Sequence, residues 1–420
     1  MNAWNKIIVL FFVFLCLLWI EKTHAILISE NMSPQKITID LQKLPKPVVQ
    51  GSNNWPQIVP PPAKATLHLP PGFKVNIYAK DLDNPRWLAL TPTGDVLVAE
   101  SYSSRIMLLE DNDKDGVVDK ISIFADISNG LHLPFGMVFS KDSFYVANTD
   151  GVLVFPYKEG QKKLEGRGRK ILSLPGSGNH WSRTLALSPD GQVLFVTVGS
   201  KTNVDEDPPP RASIVALKIK SNSSEIYARG LRNPVGLAFY PHSSDLYVTV
   251  NERDWLGDDL VPDYLTRVEK GEFYGWPYCY LSPEFIDPRW KNRIEGTKAK
   301  ELIQSTKTPD VLFQSHSAAL GLAFPPPDSN LPEHYKNGAF VAFHGSWNRK
   351  QATGYKIVFV PFGENHRPKG YYEDFLTGFL LNPYPSKTWG RPCGLLFLPD
   401  GSLLLADDGN NIIYRIFYAQ

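Results

Sequence analysis

Six short segments each place an Arg or a His just ahead of an apolar, strand-like run: Arg86, His132, His180, Arg232, His316 and Arg391. Arginine is a permanent cation with a planar fork of donors, and histidine can take up or release a proton near neutrality. Gathered at one point, such side chains make a well for an anionic guest with a base at hand. In the string Gly-Leu-Arg-Asn-Pro, Asn233 adds an amide beside Arg232 and Pro234 fixes the turn. Taken singly, each residue reads as a solvated loop charge or a histidine bonded to backbone. The ring as a whole points to a site.

Two carboxylate clusters suggest cations. Asp111, Asp113, Asp115 and Asp119 stand at positions 1, 3, 5 and 9 of a loop with Gly116 at position 6 and the Val117 carbonyl at position 7. This is the first part of an EF-hand-like Ca²⁺ loop, in which alternate oxygens converge on a hard cation. Position 12 is Ser122 rather than Glu, and the flanks 106–109 and 121–124 read as strands, which predicts a calcium-tied hairpin. The plainer alternative is a polar turn. The second cluster runs from Asn251-Glu252-Arg253-Asp254 through Asp258 and Asp259 to Asp263. An acidic loop opposite a basic ring suggests a cation bridging protein and guest. There is no His/Cys pair at zinc spacing, no haem-attachment motif, no nucleophile elbow and no Gly-rich phosphate loop.

The elements that would position these residues recur six times as strand, turn, strand. The copies begin RWLALTPTGDVLVAE (86–100) and GMVFSKDSFYVAN (136–148), continue with RTLALSPDGQVLFVTVG (183–199) and GLAFYPHSSDLYVTVN (236–251), and end with GLAFPPPDSN… (from 321) and GLLFLPDGSLLLADDG (394–409). Their turn residues Pro92, Lys141, Pro189, Pro241, Pro326 and Pro399 are 49, 48, 52, 85 and 73 apart. Strand pairs at this period predict an all-β fold, a six-bladed β-propeller, with the two long gaps read as insertions at about 253–316 and 345–390. Pairing of the strand-like 73–78 with 412–417 would complete one blade and remove two exposed edges.

Length and charge narrow the function classes. The chain has 420 residues, 44 Lys+Arg against 43 Asp+Glu, and a net charge of +1. That balance gives no electrostatic case for nucleic acid or an anionic membrane as partner. Residues 1–25 have the pattern of a cleaved signal peptide: Lys6, an apolar run from Ile7 to Ile20, then Glu21-Lys22-Thr23-His24 and a small residue at Ala25, with Thr23 two before it. The run is too short to span a bilayer, so the mature chain is expected to be secreted, extracellular or periplasmic, with no membrane span. Residues 26–66 form a proline-rich extension, read as a linker or a surface strap, and 67–420 the propeller. Cys279 and Cys393 remain after Cys16 leaves; they either pair as a disulfide or stand as two buried thiols. Asn31 and Asn222 lie in N-x-S sequons and would carry glycans in a eukaryotic host.

The strings NHWSRTLALSPDG (179–191), GLRNPVGLAF (230–239), NERDWLGDDLVPDYLTRVEKGEFYGWPYCY (251–280), HSAALGLAF (316–324), FHGSWNR (343–349) and GRPCGLLFLPDG (390–401) together resemble the glucose/sorbosone dehydrogenase family. The resemblance covers about Leu69 to the C-terminus. It implies an exported six-bladed propeller that oxidises a sugar or polyol with pyrroloquinoline quinone and Ca²⁺ and passes electrons to an external acceptor. It further implies His180 as catalytic base, Arg232, Asn233 and Arg391 around the quinone with Arg349 and His316 as weaker candidates, and Asp258 and Asp259 near the active-site Ca²⁺ with Asp263 close by. The soluble glucose-oxidising branch has Gln where this chain has Val235, so the likeness is closer to the sorbosone-type, aldose or pyranose branch. The competing expectation is a propeller kept as a non-catalytic binding module for a protein or glycan.

Overall fold

The computed structural model describes residues 26–294 and 298–419. The expected signal segment lies outside the described residues. Among the described residues the chain is almost entirely β, with two short helices, Lys298–Gln304 and Glu333–Lys336. No helix among them is long and apolar enough to cross a membrane.

Six sheets of four or five strands follow one another along the chain, the first four with strands in simple sequential order and the last two each completed by a strand from the N-terminal part. Their first strands are Pro85–Leu90, Met137–Ser140, Leu185–Leu187, Asn233–Phe239, Ala319–Ala323 and Pro392–Phe397. Each of these packs against the first strand of the next sheet, and the sixth packs against the first, so the sheets form a closed ring. Burial falls from the second strands outward. Val96–Glu100 is buried throughout, whereas Ser223–Arg229, an outer strand, is mostly exposed. Apolar cores lie between neighbouring sheets, as in the cluster joining Tyr145 and Val152 of the second sheet to Leu194 and Val215 of the third.

Close approach of the first strands depends on glycine. A Cβ on Gly321 would lie 2.3 Å from the Cys393 carbonyl oxygen and 3.0 Å from Leu395 N; one on Gly394 would lie 2.5 Å from Arg86 O, and one on Gly136 2.5 Å from Leu185 N. These are backbone atoms in neighbouring sheets, which cannot swing away. Gly321→Ala is therefore expected to cost about 1–3 kcal/mol through overpacking, read from urea unfolding.

The ring closes as the ends suggested. Ile412–Tyr418 pairs antiparallel with Phe73–Ala79, with Tyr418 opposite Phe73 and Ile413 opposite Ala79. The long gaps need correction. The stretch 345–390 is not one insertion: it contains the third and fourth strands of the fifth sheet, Lys356–Pro361 and Tyr372–Leu376, and a hairpin of Leu380–Pro383 with Ser386–Thr388. Likewise 253–316 contains the strands Tyr264–Val268 and Val311–Leu312, so the added chain is 269–310. The repeat pattern was read from the first two strands of each copy, and of the outer pairs only the flanks of the Asp111–Asp119 loop were read as strands.

The proline-rich lead is a strap. Ile26–Asn31 pairs parallel with Lys64–Leu69, Lys36–Ile37 adds a fifth strand to the fifth sheet, and Gln57–Ile58 pairs with Ser386–Thr388. Between them the chain is stapled to two loops. Val48 N donates to Leu256 O (3.1 Å), buried Asn348 donates to Ser52 O (3.0 Å) and accepts from Trp255 N (2.9 Å), and Asn54 N donates to Trp347 O (2.9 Å). The Asn54 side chain is satisfied by Lys350 O, Pro383 O and Ser386 N.

Cys279 and Cys393 do not pair. Cys279 sits in the added chain with its Sγ 3.2 Å from Thr306 Oγ1, while Cys393 is enclosed in the core around Trp87 and Phe135. Asn31 and Asn222 are both exposed.

Candidate active site

An antiparallel strand pair returns the chain to the end where it started. Loops that lead into the first strands therefore share a face with loops that leave the second strands. Sequence reasoning read the former as a ring and, of the latter, the acidic loop at 251–263 and Arg349; the site draws on both sets.

His180 lies ahead of the third sheet. Its Nδ1 is 2.9 Å from the Ser200 carbonyl oxygen and 3.0 Å from Ser200 Oγ. A carbonyl only accepts, so Nδ1 carries the hydrogen and Nε2 keeps its lone pair. Ser200 is itself held, its N–H donating to Arg232 O (2.7 Å) and its Oγ to Thr202 O (2.7 Å). Burial, with the Arg232 charge adding to it, pushes the imidazole down to about 3, so it is neutral at ordinary pH.

Arg232 is buried and its five N–H groups have protein acceptors: Asn203 O and Oδ1, Asn251 O, Glu252 O, and Asp254 Oδ2 at 3.1 Å. Toward a guest it offers charge rather than free donors. Neighbouring Asn233 keeps an unpartnered buried Oδ1. His316 donates toward Gly257 O (3.0 Å) and faces Asp254 at 3.5 Å. Burial alone would depress this imidazole, but the Asp254 carboxylate outweighs it and raises His316 above its usual value.

Arg391 and Arg86 belong to a cluster that sequence reasoning saw in part. Arg391 donates to His344 Nδ1 (2.9 Å), His344 Nε2 faces Asp408 at 2.9 and 3.0 Å, and Arg86 pairs with Asp408. Since Arg391 can only donate, His344 has its hydrogen on Nε2, directed at Asp408. Burial, helped by Arg391, pushes His344 down to about 4. Despite its burial, His344, Arg86 and Arg391 hold Asp408 well below the usual carboxylate range. Next to it, burial raises Asp407 to about 7. Arg86 and Arg391 each keep a buried Nε without a partner. His132, the remaining member of the ring, is exposed. The ring is thus interleaved with carboxylates, Asp254 and Asp408, from the loops after the second strands.

An aromatic wall borders this cluster. Trp181 follows His180 and packs on Phe135 and on Tyr102, with centroids 5.6 Å apart in both pairs. The Arg86 guanidinium lies 5.7 Å from the Trp181 ring and 5.9 Å from that of Phe135.

The groups present fit a polyanionic quinone. Two guanidiniums with unpaired N–H donors, the unpartnered Asn233 carbonyl and the open His180 Nε2 lie in loops of one face. In the loop expected for the active-site Ca²⁺, several oxygens have protein donors. Asp263 Oδ1 accepts from Glu252 N (2.9 Å) and Oδ2 from Ala318 N (2.7 Å), and burial raises it to about 6. Arg349 donates to the Asp258 carbonyl and to Asp259 Oδ1 (2.7 Å), and Asp258 Oδ2 accepts from Lys350 N (3.1 Å). Arg349 thus spends its Nη1 on this loop. The hairpin between Arg105–Glu110 and Lys120–Ala125 differs: ligand oxygens of Asp111, Asp113 and Asp115 lie within 4.8 Å of one another. Its Gly116 N donates to Asp111 Oδ2 (3.1 Å) and Asn112 N to Asp119 Oδ2 (2.7 Å). A cavity of 1380 Å³ lies elsewhere, between the strap at Pro60 and Pro61 and the sheet edges at Ile77 and Ile121, and no member of the ring lines it.

The TrAA12-like family description matches residues 67–419. An uncharacterized protein of Borreliella burgdorferi is 29% identical over 370 residues, covering 85% of this chain and 92% of that protein. The pyrroloquinoline quinone-dependent pyranose dehydrogenase of Coprinopsis cinerea is 26% identical over 422 residues; the match covers 85% of this chain but 55% of that enzyme. Among solved structures, the calcium structure of a Trichoderma reesei carbohydrate-active enzyme of family AA12 aligns with a TM-score of 0.72 at 21% identity, covering 87% of this chain and 99% of that one, a likeness of fold.

Proposed function

The chain belongs to the TrAA12-like family, and from that footing we propose that it is an exported quinoprotein oxidoreductase, a six-bladed propeller over 67–420 that oxidises a sugar hydroxyl and passes the electrons to an external acceptor. The observation that carries this reading is the pairing of an oriented, neutral His180 with unpaired guanidinium donors on the same face. His180 Nε2 takes the hydroxyl proton as the carbinol carbon gives up its hydrogen as hydride. Bound pyrroloquinoline quinone supplies the two-electron acceptor for that hydride. Arg86 and Arg391 would hold its carboxylates, Asn233 would orient it, and Arg232 would add field without direct hydrogen bonds. No step is routed through a metal at Asp258, Asp259 and Asp263.

We assign calcium instead to the Asp111–Asp119 hairpin as a structural ion. Chelation should lower the melting temperature, and Asp113→Asn should remove the gain on adding calcium, about 2.7 kcal/mol at a hundredfold excess over Kd.

The central test is an absorbance titration with pyrroloquinoline quinone, followed by dye reduction across a panel of aldoses and polyols. Saturable quinone binding and quinone-dependent reduction are expected. Absence of both would leave a binding module as the better description.

A further inference from the structure

The cavity between the N-terminal strap and the ring is walled mainly by apolar side chains. Leu27, Pro60 and Pro61 line it from the strap, Ile77 from the strand that closes the ring, and Val117 and Ile121 from the Asp111–Asp119 hairpin. Val117 is 46% and Ile121 41% exposed, apolar area that a guest would take out of water. Both walls are fixed to the ring. Ile26–Asn31 is paired along its length with Lys64–Leu69, Ser29 Oγ accepts from Val75 N (3.2 Å), and Asn410 Nδ2 donates to Val59 O (3.0 Å). On the hairpin side, Val118 N donates to Tyr78 O (2.8 Å) and Asn76 Nδ2 to Gly116 O (2.9 Å). The 1380 Å³ between them is therefore preformed, and filling it asks for little reorganisation.

The polar groups around the cavity select its guest. Tyr414 lines it and is 1% exposed, yet the Tyr414 hydroxyl has no protein partner. Burial keeps this phenol protonated well above its usual range, so it is a donor. A buried hydroxyl left unpaired is costly, and an acceptor oxygen on a guest relieves that cost. The charged side chains lining the cavity are Lys80, Asp81 and Asp119, two carboxylates against one ammonium, a balance that disfavours an anion. We propose that this cavity is a second binding site, separate from the ring, for a neutral and largely apolar molecule of sterol or isoprenoid size whose carbonyl or hydroxyl oxygen accepts from Tyr414. A fused-ring guest suits it best, because it covers the apolar walls with few torsions to freeze.

The test uses the full mature chain and the neutral fluorophore N-phenyl-1-naphthylamine, with its anionic relative 1-anilinonaphthalene-8-sulfonate as control. The neutral dye should bind saturably and the anionic one about tenfold or more weakly. Progesterone, neutral and carbonyl-bearing, should displace the neutral dye, and saturating pyrroloquinoline quinone should not, since no member of the ring lines the cavity. Ile121→Glu and Val117→Glu, at exposed positions that do not threaten folding, should each weaken the dye and progesterone about tenfold or more by placing a charge against the guest. Tyr414→Phe should weaken progesterone about three- to tenfold while leaving the dye unchanged, the signature of one lost hydrogen bond. No saturable binding of the neutral dye, equal binding of the anionic one, displacement by the quinone, or affinities unmoved by Ile121→Glu and Val117→Glu would overturn the proposal. Progesterone affinity unmoved by Tyr414→Phe would overturn the role given to the hydroxyl.

Discussion

Replacing His180 with Ala is expected to lower kcat for sugar oxidation by about two to four orders of magnitude, with quinone affinity nearly unchanged. The magnitude follows from its geometry. A general base must be neutral, keep a lone pair toward the substrate and hold still. The Ser200 carbonyl at 2.9 Å fixes the tautomer and the ring plane, and burial keeps the imidazole unprotonated far below neutrality. The acid limb of the pH–rate profile should accordingly not arise from His180 until pH approaches about 3. Loss of quinone binding in the variant would move His180 from proton transfer to cofactor holding. Loss of neither would remove it from the site.

The second large effect is on stability. Asp408→Asn would leave Arg86 and Arg391 buried beside each other's partner with no carboxylate between them, and breaking a buried ion pair from one side costs about 3–5 kcal/mol. The same cluster should make the fold sensitive to acid. Unfolded histidine takes up a proton below about 6.5, but buried His344 resists until about 4, so in that window the unfolded chain binds more protons. Stability therefore falls as pH drops, by about 2 kcal/mol at pH 5 from this residue. Asp408, held below its unfolded value, adds a further loss at lower pH. His344→Gln should flatten the difference in unfolding free energy between pH 7 and pH 5 by about that amount. An equal pH response in variant and parent would count against a buried neutral imidazole at this position.

The repeat period and the strand pair that closes the ring were legible because they are local or periodic: Gly-led apolar strands, Pro-Asp-Gly turns, alternating ends. The cationic half of the site was legible for a similar reason, since an Arg or a His recurs close to the start of each first strand. Its acidic half was not. Arg86 meets Asp408 across 322 residues of sequence, and nothing local to either announces the other. A signal was present nonetheless. Five of the six second strands end in, or are followed directly by, a polar residue (Glu100, Asn148, Asn251, His344 and Asp407) where the apolar alternation stops, and the loops that follow carry Tyr102, Asp254 and Asp408. Reading those ends as a second ring would have found the compensating charges. At Asp258, Asp259 and Asp263 the sequence alone does not separate oxygens that await a metal from oxygens that accept from backbone amides, as both Asp263 oxygens do.

The segment ahead of residue 67 lies beyond the matched family region, yet Val48 binds the loop that carries Asp254, and Ser52 and Asn54 bind the loop that carries His344. Gly51 has no room for a side chain between Trp255 and Asn348. An expression boundary drawn at the family limit would cut the tie that keeps two rim loops in register, and a reporter fused there would displace it. Lead and rim pack as one unit, so a bulkier residue at Gly51 would press on both Trp255 and Asn348.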